Sequence, residues 1–312
     1  MLIVFNQMIS LFLLMLTGYL ANRFGVIDKT FESKVSRFIV NISLPATILN
    51  AVTGSDMPHD QEMLPIFIAA VSIFLVAHVV CHFIQKIIRW NPTYELMLNY
   101  SNLGFMGIPI ITSIFPQNGI LYVSVFTVID QFMLWTMGVK LTTPCGKGKF
   151  DPRKLVNPAT VAIFAALFLV VTGIKIPQLL DTGLQKIGAT ASPLAMIYVG
   201  GVFACIDIRR YIKELSLYGI VLVKMLLIPV IMYGGLNLFP ISEEIHLTMA
   251  LIAGMPAMTS VVMMANSAGS DGDYALGGVF VTTICSIVTL PFICWLLQYI
   301  LSVSYTHLTL PT

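Results

Sequence analysis

Two stretches of this 312-residue chain set small residues, proline and uncharged polar side chains inside otherwise apolar sequence. The first reads Tyr100-Ser-Asn-Leu-Gly-Phe-Met-Gly-Ile-Pro109, and the second reads Gly254-Met-Pro-Ala-Met-Thr-Ser260. Proline withdraws a backbone N–H, clashes with the carbonyl four residues back and pushes its predecessor away from helical angles. A glycine two positions ahead adds backbone freedom. Gly107, Ile108 and Pro109, with Gly254, Met255 and Pro256, are therefore the expected sites of two helix breaks. The first helix is expected to open near Gly107 and restart with Pro109 in its first turn. Each restart exposes N–H groups and the positive end of a half-helix dipole. Two such ends meeting make an anion site without any arginine, which favours a ligand bearing a carboxylate. Polar side chains gather around the breaks: Asn99, Ser101 and Asn102 before the first, Thr259 and Ser260 after the second. Asn102 stands about two turns before Pro109 and faces the same general side. Its amide either donates to a carboxylate or hydrogen-bonds a neighbouring helix.

Four ionisable residues lie deep in apolar sequence: Asp130, Lys224, His78 and His82. Such groups are functional candidates in a membrane. A protonatable carboxylate or a histidine suits coupling to a proton. Alternatively, Asp130 and Lys224 form a structural ion pair, the role expected first for Lys224. His78 and His82 have the spacing of metal ligands, but no third ligand is evident nearby, and no metal or cofactor is expected.

These residues must be carried by elements suited to lipid. The chain is 57% hydrophobic and 10% charged, against about 25% charged in soluble domains, and its mean hydropathy is +0.88. An ordinary cytosolic enzyme is excluded, and a net charge of +2 gives no reason to expect nucleic acid as a partner. The five cysteines show no metal or disulfide spacing. No Gly-x-Ser-Gly or His-Glu-x-x-His word points to an intramembrane enzyme.

A span needs about 20 apolar residues. Ten segments qualify, at about 3–22, 36–53, 64–85, 95–115, 118–139, 157–173, 187–206, 214–238, 246–267 and 275–300. Fourteen of the 17 basic residues fall on alternate connections, which places those loops in the cytoplasm and both termini outside. The prolines suggest duplication. Pro45 and Pro109 are 64 residues apart, Pro193 and Pro256 63 apart. Ser-Leu-Pro-Ala at 43–46 matches Ser-Pro-Leu-Ala at 192–195, and Gly-Ile-Pro matches Gly-Met-Pro. Five spans per half force the copies into opposite topology, the layout of many secondary transporters. The expected organisation is a first repeat over 1–140, a basic cytoplasmic loop over 141–156 and a second repeat over 157–301. Residues 302–312 fall outside the pattern and read as a run-on tail without helix patterning.

The stretch Asn102-Leu-Gly-Phe-Met-Gly-Ile-Pro109 resembles the fourth-span motif of the auxin efflux carrier family, which includes plant PIN-formed auxin exporters and bacterial organic-acid carriers. Met255-Pro256-Ala257, Ser286-Ile-Val-Thr-Leu-Pro291 and Gly18-Tyr-Leu-Ala-Asn-Arg-Phe-Gly-Val-Ile27 are similar to it too, and the similarity runs over about residues 1–300. The resemblance implies an all-α integral membrane protein of ten helices in two inverted five-helix repeats. Helices 4 and 9 would be broken and would cross in a substrate-bearing domain that moves against a scaffold as an elevator. Pro45 and Pro193 would support that crossover. Asn102 matches the family's substrate-contacting asparagine; at Ser260 this chain has a hydroxyl where many relatives carry an amide. The expected function is a secondary carrier exporting small organic anions, auxin-like monocarboxylates or malate-like dicarboxylates, across a prokaryotic cytoplasmic membrane. Its expected partners are the substrate anion, the lipid bilayer, a coupling proton or sodium ion and a second copy in a homodimer. A proton- or sodium-coupled carrier or channel for a different small solute is the alternative, ahead of an intramembrane enzyme.

Overall fold

In hydrocarbon a backbone must satisfy its own hydrogen bonds, and long apolar runs do so as helices. A computed structural model describes residues 2–53, 60–88, 92–116, 118–138, 158–172, 174, 176–237, 239, 241–267 and 271–308. Every regular element among these is helical. The basic loop expected at 141–156 and the tail residues 309–312 lie outside the described residues.

The first half holds α1 (Leu2–Arg23), α2 (Lys29–Phe38), α3 (Leu44–Thr53), α4 (Asp60–Ile88), α5 (Pro92–Asn99), α6 (Ile108–Ile114) and α7 (Gly119–Met133). The second holds α8 (Pro158–Thr172), α9 (Gln178–Gly188), α10 (Ala191–Ala204), α11 (Ile208–Ile212), α12 (Leu215–Ile220), α13 (Ile228–Leu236), α14 (Glu243–Ala253), α15 (Ser260–Ser267) and α16 (Gly272–Leu308). Among the described residues, five helical stretches are long and apolar enough to cross a membrane: Leu2–Arg23, Pro65–Ile84, Gln178–Ala204, Leu215–Leu236 and Gly272–Tyr299. The expected fourth and ninth spans are divided, as α5 with α6 and α14 with α15. α16 continues to Leu308, well into the segment read as an unpatterned tail. No proline interrupts it between Pro291 and Pro311, so nothing local stops the helix there.

Four π-helical segments occur among the described residues: Ile39–Ser43, Leu103–Gly107, Leu134–Gly138 and Val221–Leu227. Three of them end two residues before a proline: Pro45, Pro109 and Pro229. The wider turn follows from the proline, which removes one amide and pushes away the carbonyl four residues back.

Packing knits the two halves together. α1 lies along α10, and α3 lies against α8 and α9. The first contact depends on small residues. A Cβ on Gly18 would overlap the Ile197 carbonyl, and one on Gly200 the Met15 carbonyl, so the backbones meet directly. Pro45 lies on α3 in the second of these contacts, whereas Pro193 is exposed on α10. In that second contact Ser43 Oγ is 2.8 Å from Thr190 Oγ1, and Thr47 Oγ1 donates to the Gly188 carbonyl at 3.0 Å. α1 closes with Gly25 at φ 74°. The Val26 amide returns to the Ala21 carbonyl and the Gly25 amide to that of Asn22, the bonding of a Schellman cap.

The distribution of polarity is turned outward-in. Large apolar side chains such as Leu13, Leu75, Phe83, Phe164, Phe168 and Val288 are exposed. Asn102, Asp130, Lys224, Thr282 and Ser286 are buried. A soluble surface does not carry so much exposed apolar area; a lipid-facing one does.

Candidate functional site

The first break lies at Tyr100–Asn102, seven residues before Pro109 and earlier than the opening expected near Gly107. α5 ends at Asn99, and Asn102 has φ −75°, ψ 59°, outside the helical region. From Leu103 the chain stays helical through Ile114, so Pro109 sits inside the restarted segment. The π turn over Leu103–Gly107 accommodates that proline, which is why no opening is needed at Gly107. The second break runs from Gly254 to Thr259, where the chain restarts at Ser260. The words Gly-Ile-Pro and Gly-Met-Pro therefore stand differently: one follows its break, and the other lies in it.

The two breaks are bonded to each other. The Asn102 amide donates to the Pro256 carbonyl at 2.8 Å, and the Met258 amide to the Tyr100 carbonyl at 3.1 Å. Ser101 and Ala257 thus face each other as an isolated antiparallel pair. Both are buried, and Asn102 is 2% exposed. Gly107 joins the same cluster, since a Cβ there would stand 2.8 Å from Met255 Sδ. Gly254 sits beneath Pro229, whose ring would be 2.7 Å from an added Cβ.

Groups freed by the breaks find specific partners. Lys224 Nζ donates to the Leu98 carbonyl at 2.8 Å and to Ser101 Oγ at 3.1 Å. The Ala257 amide donates to Thr282 Oγ1 at 3.1 Å, and that hydroxyl donates to the Gly278 carbonyl at 2.7 Å. Ser192 Oγ donates at 2.9 Å to the Phe105 carbonyl, the one that Pro109 deprives of its amide. Asn102 begins the restarted segment by accepting from the Met106 and Gly107 amides. Of the first amides of the restarts, that of Leu103 turns to the Ser101 carbonyl, and those of Val261 and Val262 to the Met258 and Thr259 carbonyls; the positive ends of both restarted segments lie here with one lysine.

Two clefts lie where α2, α3 and α10 face the crossover. One, of about 200 Å³, is lined by Thr47, Asn50, Gly104, Ile108, Pro109, Gln185 and Ser192 among others. The other, much tighter at about 20 Å³, is lined by Ser36, Phe105, Tyr198, Thr259, Ser260 and two apolar residues. Thr259 Oγ1 is buried beside the latter without a hydrogen-bond partner among the described residues. The candidate residues thus divide between the paired breaks (Ser101, Asn102, Gly107, Met255, Pro256) and the two clefts beside them (Ile108, Pro109, Thr259, Ser260).

Asp130 is buried on α7 at 2% exposure, and with Cys81 it lies within electrostatic range of Lys224. His78 turns to a different carboxylate, with Nδ1 3.3 Å from Glu95 Oε1. His82 is exposed and sets its ring edge-on to Phe83. Among the described residues no group of three histidines, cysteines or acids is placed to hold a metal. Outside the spans, Glu32 is buried between α1 and α10. Its Oε1 accepts from Asn22 Nδ2 at 3.0 Å. Burial raises its carboxyl above the usual range, against the lowering effect of the Asn22 hydrogen bond.

Several contributors were not singled out in the sequence. Thr282 and the Leu98 carbonyl carry no sequence signal. Ser192 stood in the Ser-Pro word but without a role. Pro229, five residues after Lys224, signals the π segment that carries the lysine. Glu95, near the start of the fourth span, reads as a boundary charge, and buried His246 of α14 as part of an apolar run.

A membrane transport protein family model matches residues 3–154 and again 147–294. An uncharacterized transporter of Methanothermobacter thermautotrophicus is 21% identical over 295 residues, covering 92% of this chain and 96% of the relative. The uncharacterized transporter YfdV of Escherichia coli is 23% identical over 285 residues, covering 83% and 86%. The uncharacterized transporter MJ1031 of Methanocaldococcus jannaschii is 20% identical over 300 residues, covering 91% and 96%. With the model matched along nearly the whole chain, and apolar helices that present their large side chains outward, this multi-pass membrane protein belongs to the auxin efflux carrier family of membrane transport proteins.

Proposed function

We propose that the chain is a secondary carrier that exports small organic anions and binds them at the crossover of its two broken helices. The observation that carries this reading is the antiparallel pair between Ser101 and Ala257, with two helix restarts and the Lys224 ammonium around it. Two positive helix ends and one cation favour an anion, and a carboxylate offers acceptors to both restarts. Asn102, Ser101, Thr259 and Ser260 supply side chains near the anion; Gly107, Ile108, Pro109, Gly254, Met255 and Pro256 shape the backbone around it. Auxin-like monocarboxylates and malate-like dicarboxylates both fit this description.

The swapped contacts of α1 with α10 and of α3 with α8 support ten helices arranged as two inverted repeats. In that arrangement α1, α2–α3, α8 and α9–α10 form a scaffold, and the crossover domain slides past it as an elevator. The two clefts between the crossover and the elements α2–α3 and α10 lie along the boundary at which such a movement would occur. Asp130 and His78 are the groups to test for proton coupling, with sodium as the other coupling ion. We place the carrier in a prokaryotic cytoplasmic membrane, with both termini outside and a homodimer as its assembly.

Reconstitution tests the reading. Proteoliposomes should show saturable uptake of labelled malate or indole-3-acetate, competed by carboxylates and abolished by Asn102→Ala. Better competition by neutral solutes, or flux at channel rates, would sink it.

A further inference from the structure

Breaking a helix in lipid leaves the last carbonyls of its first half without amides, and the dipole adds partial negative charge there. In other interrupted membrane helices such ends coordinate a coupling cation. At the end of α5 that place is filled from within the chain. The Leu98 carbonyl is the one the Asn102 amide would serve in an unbroken helix, but that amide has gone to Pro256. Lys224 Nζ takes the carbonyl instead, at 2.8 Å, and Ser101 Oγ with it, at 3.1 Å. The lysine is 1% exposed and comes from the π segment before Pro229. It reaches a partner 126 residues away in sequence, so it belongs to the break rather than to its own helix.

We propose that Lys224 is the resident cation of the crossover: its ammonium holds the position at the broken end of α5 that would otherwise recruit a monovalent metal ion, and it fixes positive charge beside Ser101 and Asn102. Lys224 is then a positioning residue for the first break. The further consequence, selection of anionic over neutral solutes, rests on the carrier reading above; the resident-cation assignment does not.

Thermal unfolding of the purified full chain in detergent, at constant ionic strength, separates the two. The wild type unfolds at the same temperature in sodium, lithium or N-methylglucamine chloride. Lys224→Ala unfolds roughly 2–10 °C lower and is restored in part by methylammonium or sodium, not by N-methylglucamine. Lys224→Met keeps the bulk without the charge, is lowered without rescue and serves where the alanine variant does not fold. Lys224→Arg retains most of the stability. A wild type stabilised by sodium or lithium overturns the assignment. So does an alanine variant lowered equally in every cation, or a methionine variant that unfolds with the wild type. In proteoliposomes the preference for malate over a neutral solute of similar size falls about tenfold to a hundredfold in Lys224→Met. Absence of that preference in the wild type defeats the carrier reading and leaves the unfolding experiment to decide on the cation.

Discussion

At the first break a lysine ammonium reaches the Leu98 carbonyl, whereas at the second a threonine hydroxyl takes the Ala257 amide. The stretches pair with each other through the same two backbone bonds, yet their loose ends differ in sign. A terminal carbonyl at the negative end of a half-helix is best met by a cation, and an isolated amide needs only a neutral oxygen. Charge-assisted hydrogen bonds are about twice as strong as neutral ones. The crossover is thus electrostatically lopsided, with its fixed charge on the side of Ser101 and Asn102.

Four expected outcomes bear on that contrast, the largest first. Lys224→Met leaves the Leu98 carbonyl and the Ser101 hydroxyl without their donor, and should cost about 2–4 kcal/mol in detergent unfolding together with most anion uptake. Gly254→Ala and Gly107→Ala compare the close approaches in the two stretches. The added methyl at Gly254 meets the rigid ring of Pro229 and should cost about 1–3 kcal/mol. At Gly107 it meets the mobile ends of Leu103 and Met255, and the cost should stay under about 1 kcal/mol. An equal cost at both would mean that the two neighbourhoods are equally stiff.

Removing the neutral partners should matter less. Thr282→Val strands the Ala257 amide and should lose about 1–2 kcal/mol, against about 1 kcal/mol for Ser192→Ala at the Phe105 carbonyl. If Thr282→Val matched Lys224→Met, the lopsidedness would vanish. The smallest effect lies outside both stretches. Glu32 is raised by burial, so the folded state holds its proton more tightly than the unfolded chain. Its contribution to stability is fully present below the unfolded value and fades as pH rises through the folded one. Glu32→Gln should flatten unfolding temperature against pH in the acidic range, and a steeper profile would contradict the sign.

Much of this was legible in the sequence, and for identifiable reasons. Long apolar runs between basic loops can only be helices in lipid, and the prolines near polar residues marked where two would fail. The position of the first failure was not legible. Pro109 looks like the breaker, but a π turn absorbs it and the strain-free opening falls at Ser101, where no proline stands. Nor could local words reveal that the two stretches pair through Ser101 and Ala257, since that register belongs to tertiary packing. Lys224 was visible as a charge at membrane depth, but its acceptor is a backbone carbonyl, which any residue type supplies. Asp130 was visible only as a charge in mid-span; its burial on α7 belongs to the packing.

The π turns ahead of Pro45, Pro109 and Pro229 also alter how these helices would be read from outside. Each adds one residue to its turn, which rotates everything after it by about 100° relative to a continuous α-helix. A cysteine-accessibility scan would therefore record an abrupt phase slip at Ser43, Gly107 and Leu227, with the lipid-exposed stripe jumping to a neighbouring face. Along α4, which is α-helical from Asp60 to Ile88 with Pro65 inside it, the stripe would keep its period from end to end.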